Sequence, residues 1–240
     1  MKSFKLIRSG ACSADYNMAL DEEIFRQYLE DGIGVFRLYS WQAPSFTYGF
    51  SQSPESQIDL ARCQNDGIQI AKRMTGGGIL FHHDEITYSF VCSKSDAGEP
   101  QGVFVSYRDI CGFLMRFYRS LGFNPAFALQ AENFKDYSLP HQLCSASHEK
   151  YDIVIGGRKI GGNAQKRKRQ VIFQHGVIPC RIDWSFVRSY LKFLPFDISA
   201  QVTTLADELK FIPEKDILEE KLIQAFESSF GARFYETCVA

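Results

Sequence analysis

Three short segments of the chain combine residue types that can do chemistry. In Arg73-Met74-Thr75-Gly76-Gly77-Gly78 a cation and a hydroxyl precede three adjacent glycines. Such a run costs backbone entropy. What it gains is local: glycine admits positive φ and lets a ligand approach the main chain closely, and the N–H groups of such a turn can bind a carboxylate or phosphate. The plainer alternative is a flexible hairpin turn. No Gly-Lys-Ser/Thr follows, so the segment is not a P-loop. In Gly157-Arg158-Lys159-Ile160-Gly161-Gly162-Asn163-Ala164-Gln165 a lysine sits between an apolar strand and a second glycine pair. Its ammonium can present a point charge to a carboxylate, a phosphate or a thiolate. Asn163 and Gln165 add directed hydrogen bonding. The plainer alternative is a solvated hairpin lysine. The third segment is Gln142-Leu143-Cys144-Ser145-Ala146-Ser147, an irregular polar stretch. A thiolate accepts acyl groups once its pKa falls from the free value of about 8.5, and a nearby lysine lowers it. Cys92 and Cys111 instead sit among apolar neighbours, where inert packing is expected. His82, His83 and His175 show no H-E-x-x-H or similar ligand spacing. A structural or substrate-orienting use is expected of them, and no metal site.

Elements must position these groups. Ser13 or Asp15 caps a helix whose apolar spacing runs through Met18, Ile24, Phe25 and Tyr28 to a stop at Asp31-Gly32. Strands are expected over 4–8, 35–39, 45–48 and 68–73. Residues 79–81 and 86–92 read as two strands of a hairpin joined by His82, His83, Asp84 and Glu85. Residues 151–155 and 158–160 read as a second hairpin around Gly156-Gly157. An extended segment spans 170–179. Helices are expected over 58–64, 107–121, 184–194 and 217–230. Strands and helices do not alternate regularly, which predicts an α+β fold with mixed and antiparallel β-sheets flanked by helices rather than a doubly wound parallel sheet.

The composition sets bounds. Of 240 residues, 45% are hydrophobic and 23% charged, the balance of a soluble globular protein, and residues 1–240 fit one domain. The 21 Phe and 11 Tyr are in excess; they can fill a core or line an apolar slot. A net charge of -1 argues against nucleic acid as partner. The one dense basic run is Lys166, Arg167, Lys168 and Arg169, read as either a solvated loop or a docking surface for an acidic partner. Seven cysteines without C-x-x-C spacing fit a reducing compartment. No signal peptide and no stretch of about 18 apolar residues is visible, so a cytoplasmic location with no membrane partner is expected.

Several motifs, in order and through most of the chain, carry a resemblance. Arg73-x-Thr75-Gly76-Gly77-Gly78 is followed by His82 and Glu85-Ile86-Thr87-Tyr88-Ser89. Tyr151-Asp152-Ile153-Val154 leads into Gly157 to Gln165 and then Gln174-His175-Gly176-x-Ile178-Pro179. Asn17 to Glu22, Arg37-Leu38-Tyr39-x-Trp41 and Thr203-Thr204-Leu205-x-Asp207 are weaker matches. Together they resemble the biotin/lipoate protein ligase catalytic-domain superfamily, of the lipoate–protein ligase A or cysteine-dependent octanoyltransferase type. The resemblance implies the class II synthetase-like α+β fold of that superfamily. It implies that the Gly76–Gly78 turn lies along the acyl chain and its activated carboxyl, and that Lys159 touches the reacting group. Arg73, Thr75, His82, Gly161, Gly162, Asn163, Ala164 and His175 would then line the acyl and oxyanion site.

Two subclasses differ in chemistry. A cysteine-type octanoyltransferase takes octanoyl from a carrier thioester onto Cys144 and passes it to the lysine of a lipoyl domain or of the glycine-cleavage carrier, with no tightly bound cofactor. A lipoate–protein ligase uses ATP and Mg to form lipoyl-adenylate, and Cys144 would be incidental. The position of Cys144 before Tyr151, the spacing from Gly78 to Ser89 and a chain with no C-terminal accessory domain favour the transferase. A third glycine at Gly78, where such transferases carry Arg, is more ligase-like. A non-catalytic acyl-binding module of the same fold is the third alternative, opposed by the presence of both Lys159 and the glycine turn.

Overall fold

The computed structural model describes residues 2–99, 103–130, 150–192 and 200–236; Cys144 and the segment around it lie outside the described residues. Helix α1 (Ala14–Asp31) forms where the sequence predicts. The Ser13 hydroxyl accepts from the Tyr16 N–H, and Gly32 closes the helix in the left-handed region at φ 70°. Around it run β1 (Lys2–Cys12), β2 (Gly34–Trp41) and β3 (Ser45–Tyr48). The chain continues through α2 (Leu60–Asn65), β4 (Gln69–Lys72), β5 (Leu80–His82), β6 (Asp84–Ser93), α3 (Val103–Ile110), α4 (Gly112–Ser120) and β7 (Ala126–Phe127). Then follow β8 (Ile153–Ile155), β9 (Arg158–Ile160), β10 (Gly162–Lys168), β11 (Val171–Arg181), α5 (Trp184–Arg188), β12 (Val202–Thr203), α6 (Leu205–Glu208), α7 (Lys215–Phe230) and β13 (Ala232–Glu236).

Among the described residues the strands make three sheets. The largest has the order β10-β11-β6-β2-β1-β13, antiparallel from β10 to β2 and parallel from β2 to β13. A second has the order β12-β9-β8-β7, and a third β4-β3-β5. The mixed α+β expectation therefore holds. One face of the large sheet packs against α4 and α7 through aromatic rings: Phe36 and Phe226 have centroids 4.5 Å apart, Phe90 and Phe226 5.4 Å, and Phe226 stacks on Phe230 at 4.2 Å. This cluster is where much of the phenylalanine excess goes. The other face packs against α1. Among the described residues no helix is long and apolar enough to cross a membrane.

The hairpin over 151–160 forms, with Val154 opposite Lys159. The hairpin expected over 79–92 does not. Leu80–His82 pairs with β3, whereas β6 pairs with β2 and β11, so His83 carries the chain from one sheet to the other. Local alternation cannot distinguish two paired strands from two strands in different sheets. The helix expected over 107–121 is divided at Cys111, where the Leu114 N–H takes the Cys111 carbonyl in a tighter turn. The helix expected over 184–194 stops at Arg188, and Leu191 bridges to Ile58 instead. Lys166 to Lys168 are strand, not loop, with Arg169 in the turn that follows at φ 54°.

Candidate active site

The face of the large sheet under α1 is built from polar residues inserted into apolar strands. Arg37 on β2, Ser89 on β6 and His175 on β11 lie in one cross-strand row. α1 places Asp21 above them, 1% exposed. Asp21 Oδ1 accepts from Arg37 Nη1 and Ser89 Oγ, both at 2.8 Å. Its Oδ2 accepts from the Tyr39 hydroxyl at 3.0 Å and from His175 Nδ1 at 3.2 Å. Arg37 also donates to Asn17 Oδ1 and Ser9 Oγ. Burial pushes the Asp21 pKa up, but the His175 hydrogen bond and the Arg37 charge outweigh it and hold the carboxyl below its ordinary value. Burial lowers the pKa of His175 against the opposing pull of Asp21. His175 is therefore neutral with its proton on Nδ1, because a carboxylate can only accept. Its Nε2 then accepts the Thr75 hydroxyl at 2.7 Å. The chain Asp21–His175–Thr75 thus runs from the sheet into the glycine turn.

A second relay reaches the same turn. Glu85 Oε1 receives Trp41 Nε1 at 2.9 Å, Thr87 Oγ1 at 2.6 Å and His82 Nδ1 at 2.8 Å, and the Trp41 ring stacks on His82 at 4.0 Å. His82 Nε2 accepts from Thr47 Oγ1 at 2.7 Å, and Thr47 in turn accepts from Arg73 Nη1 at 2.7 Å. Arg73 Nη2 donates to the carbonyls of Gly76 and Gly78. The Phe50 N–H donates to the Thr75 carbonyl at 2.9 Å. Gly77 has φ 94°, and a Cβ on Gly49 would sit 2.2 Å from the Gly77 carbonyl oxygen. The triple-glycine segment is thus not a flexible hairpin turn. It is a main-chain wall fastened from four sides.

Lys159 is not a solvated hairpin lysine either. It is 2% exposed, and its Nζ donates to Asp152 Oδ2 at 2.8 Å. β9 then turns at Gly161, φ 76°, where a Cβ would lie 2.2 Å from the Val177 carbonyl oxygen. The chain enters β10 at Gly162, opposite Val177. A two-residue glycine step therefore joins the lysine strand to the edge of the large sheet.

The two relays meet at a narrow cleft of only about 10 Å³ that Arg73, His82, Gly162, Ala164 and His175 line, with Met18, Trp41, Leu80 and Val177 supplying its apolar wall. A wider groove of about 650 Å³ shares Arg73 and continues outward past Thr75 and Gly76. Of the remaining candidates, Gly77 and Gly78 belong to the fastened turn. Gly161 borders a small, mostly apolar cavity of about 40 Å³ that shares Leu80 and Val177 with the cleft. Asn163 points to the opposite face of β10 from Ala164, where its Oδ1 accepts from the Tyr88 hydroxyl at 2.6 Å. Lys159 does not line the cleft; its ammonium is held by Asp152. Four described cysteines are buried: burial pushes the thiols of Cys63 up to about 11 and of Cys111 and Cys180 up to about 12, and raises Cys92 further. Sequence reasoning assigned no role to Asp21, Arg37, Thr47, Glu85 or Asp152. The signal available was a charged or hydroxyl residue inside an apolar run, such as Arg37 between Phe36 and Leu38, or Ser89 between Tyr88 and Phe90.

Solved structures share this architecture. Protein Ta0514 of T. acidophilum, a putative lipoate protein ligase with bound lipoic acid, aligns with 100% of this chain and 90% of its own at TM-score 0.79 and 23% identity. A lipoate-protein ligase A bound with ATP aligns over the same shares at TM-score 0.80 and 22% identity. The fold is therefore that of the lipoate-ligase class of catalytic domains. The family model described as the lipoyl protein ligase A/B catalytic domain matches residues 13–231, and the chain belongs to that family. Among its relatives, the octanoyltransferase LipM of Kyrpidia tusciae is 32% identical over 97% of this chain and 89% of that protein. The LipM of Bacillus cereus is 32% identical over 93% and 84%.

Proposed function

We propose that the chain is an octanoyltransferase of protein lipoylation, moving octanoyl from a carrier thioester to the lysine of a lipoyl domain or a glycine-cleavage carrier protein. The observation that carries this reading is the near full-length match to LipM octanoyltransferases. The cleft supports it chemically. An eight-carbon tail would run along Met18, Leu80 and Val177, whose side chains must part to admit it, gaining about 0.8 kcal/mol per buried methylene. Its carbonyl end lies toward Gly162 and Ala164, one glycine step from Lys159. Asp152 holds the Lys159 ammonium, which swings from that carboxylate into the cleft to orient the acyl carbonyl, and main-chain N–H groups near Gly76–Gly78 or Gly161–Gly162 bind the oxyanion.

Cys144 is the nucleophile of this proposal. Four of the described cysteines are buried with raised pKa values, which suits packing and not attack. The Cys144 thiolate adds to the thioester carbonyl, and the C–S bond to the carrier breaks, releasing the carrier thiolate to take up a proton. The acceptor lysine amine then adds to the Cys144 thioester, loses its proton and expels the Cys144 thiolate, leaving an amide. The ligase alternative rests on Gly78 and on the fold shared with lipoate-protein ligases.

The test supplies octanoyl carrier protein and an apo lipoyl domain without ATP, and in parallel lipoate with ATP and Mg. The transferase reading expects acceptor octanoylation in the first mixture. Modification in the second alone would establish the ligase.

A further inference from the structure

β10 is the edge strand of the large sheet, and its side chains change character along it. Gly162 and Ala164 line the acyl cleft. Lys166 and Lys168 follow on the same face at two-residue steps, each advancing about 7 Å outward. Lys166 lies opposite Phe173 in register and places its Nζ over the Phe25 ring at 5.5 Å. Lys72, Lys166, Arg167 and the carboxylate of Glu22 all line the wide groove. Consecutive strand residues alternate between faces, so a groove touched by both Lys166 and Arg167 wraps the strand edge. Phe50, 60% exposed, is its large apolar surface. Its inner end shares Arg73 with the cleft.

We infer that this groove seats the phosphopantetheine arm of an acidic acyl carrier protein, with Lys72 and Lys166 taking its phosphodiester. The chemistry of the arm matches the residues that line the groove. The anion meets the two lysines. The dimethyl group beside it meets Phe50. The two amides pass the main chain at Thr75–Gly76 and the outward groups of the edge strand. The thioester enters past Arg73. Lys168 and Arg169, exposed where β10 ends, then face the acidic carrier surface. The basic run thus serves the donor and not the acceptor. This rests on the transferase reading above.

The experiment compares octanoyl thioesters of 4′-phosphopantetheine and of pantetheine, which differ only in the phosphate, as donors to an apo lipoyl domain. The phosphorylated donor should have the higher kcat/KM by about tenfold, the scale of one desolvated charge contact, and Lys72→Glu should abolish that advantage. Lys166→Glu should act likewise; because its stem packs on Phe25, its thermal midpoint is measured too, and Lys72→Glu at an exposed position stands as the independent variant. Equal rates for the two donors in the wild type would overturn the inference. So would a Lys72→Glu effect on the KM of the lipoyl domain with the donor ratio unchanged. If neither thioester supports transfer while octanoate with ATP does, the transferase reading itself has failed.

Discussion

The two faces of the six-stranded sheet are made by the same strands and do opposite work. In β2, Phe36 and Leu38 point into the phenylalanine cluster while Arg37 and Tyr39 point at Asp21. In β6, Tyr88 and Phe90 flank Ser89 in the same way. Apart from the Tyr88 hydroxyl, the aromatic face supplies undirected burial, and volume-conserving apolar swaps are tolerated there. The α1 face supplies direction: each polar atom is placed by a partner, and the outermost partners, Thr75 and Arg73, fasten the glycine wall of the cleft. Stability is therefore spread over both faces, whereas positioning of the acyl site is concentrated on one.

Matched truncations on the two faces test this most sharply. Asp21→Ala strips Arg37 of its buried counter-charge and should cost about 3–5 kcal/mol, measured by urea unfolding, and should also lower kcat per folded molecule. Phe226→Ala should cost a similar 3–5 kcal/mol and leave kcat per folded molecule as in the wild type. If both variants change stability alone, the division between the faces is wrong. Thr75→Val removes the hydroxyl donated to His175 Nε2 and should cost about 1–3 kcal/mol, with a larger rise in KM for the thioester than Thr75→Ser, which keeps the donor.

The smallest expected effect is in pH dependence. Burial holds the His175 pKa below its ordinary 6.5, so on acidification the unfolded chain takes up a proton before the folded one does. Stability is full above about 6.5 and falls as pH drops toward the folded value. Asp21, held below its ordinary 3.8, adds a second loss below about 4 by the same sign. His175→Gln should flatten the upper part of the urea-midpoint curve between about pH 7.5 and 5. An unchanged slope would place the titration elsewhere.

Much of the scaffold was legible because local rules decide it. Ser13 and Gly32 bound α1, and Gly156-Gly157 made the hairpin that carries Lys159. The glycine turn, His82 and His175 stood out by resemblance, and the cleft brings Arg73, His82 and His175 together. What failed was non-local. Nothing near Leu80 states that it pairs with β3 instead of β6. Nothing near Lys159 states that Asp152 closes on it across the hairpin. Asn163 looked like a site residue from its neighbours, but strand alternation turns it to Tyr88. Arg37 and Ser89 were legible only as motif residues without a role, because they interrupt apolar runs singly and only the fold stacks them into one row.

Intact-protein mass after brief exposure to octanoyl carrier protein, with no acceptor and no ATP, tests the account most directly. It predicts a gain of one octanoyl group, labile to hydroxylamine and carried by the peptide containing Cys144. A protein that stays unmodified, or a Cys144→Ser variant that still octanoylates a lipoyl domain at the wild-type rate, would contradict it.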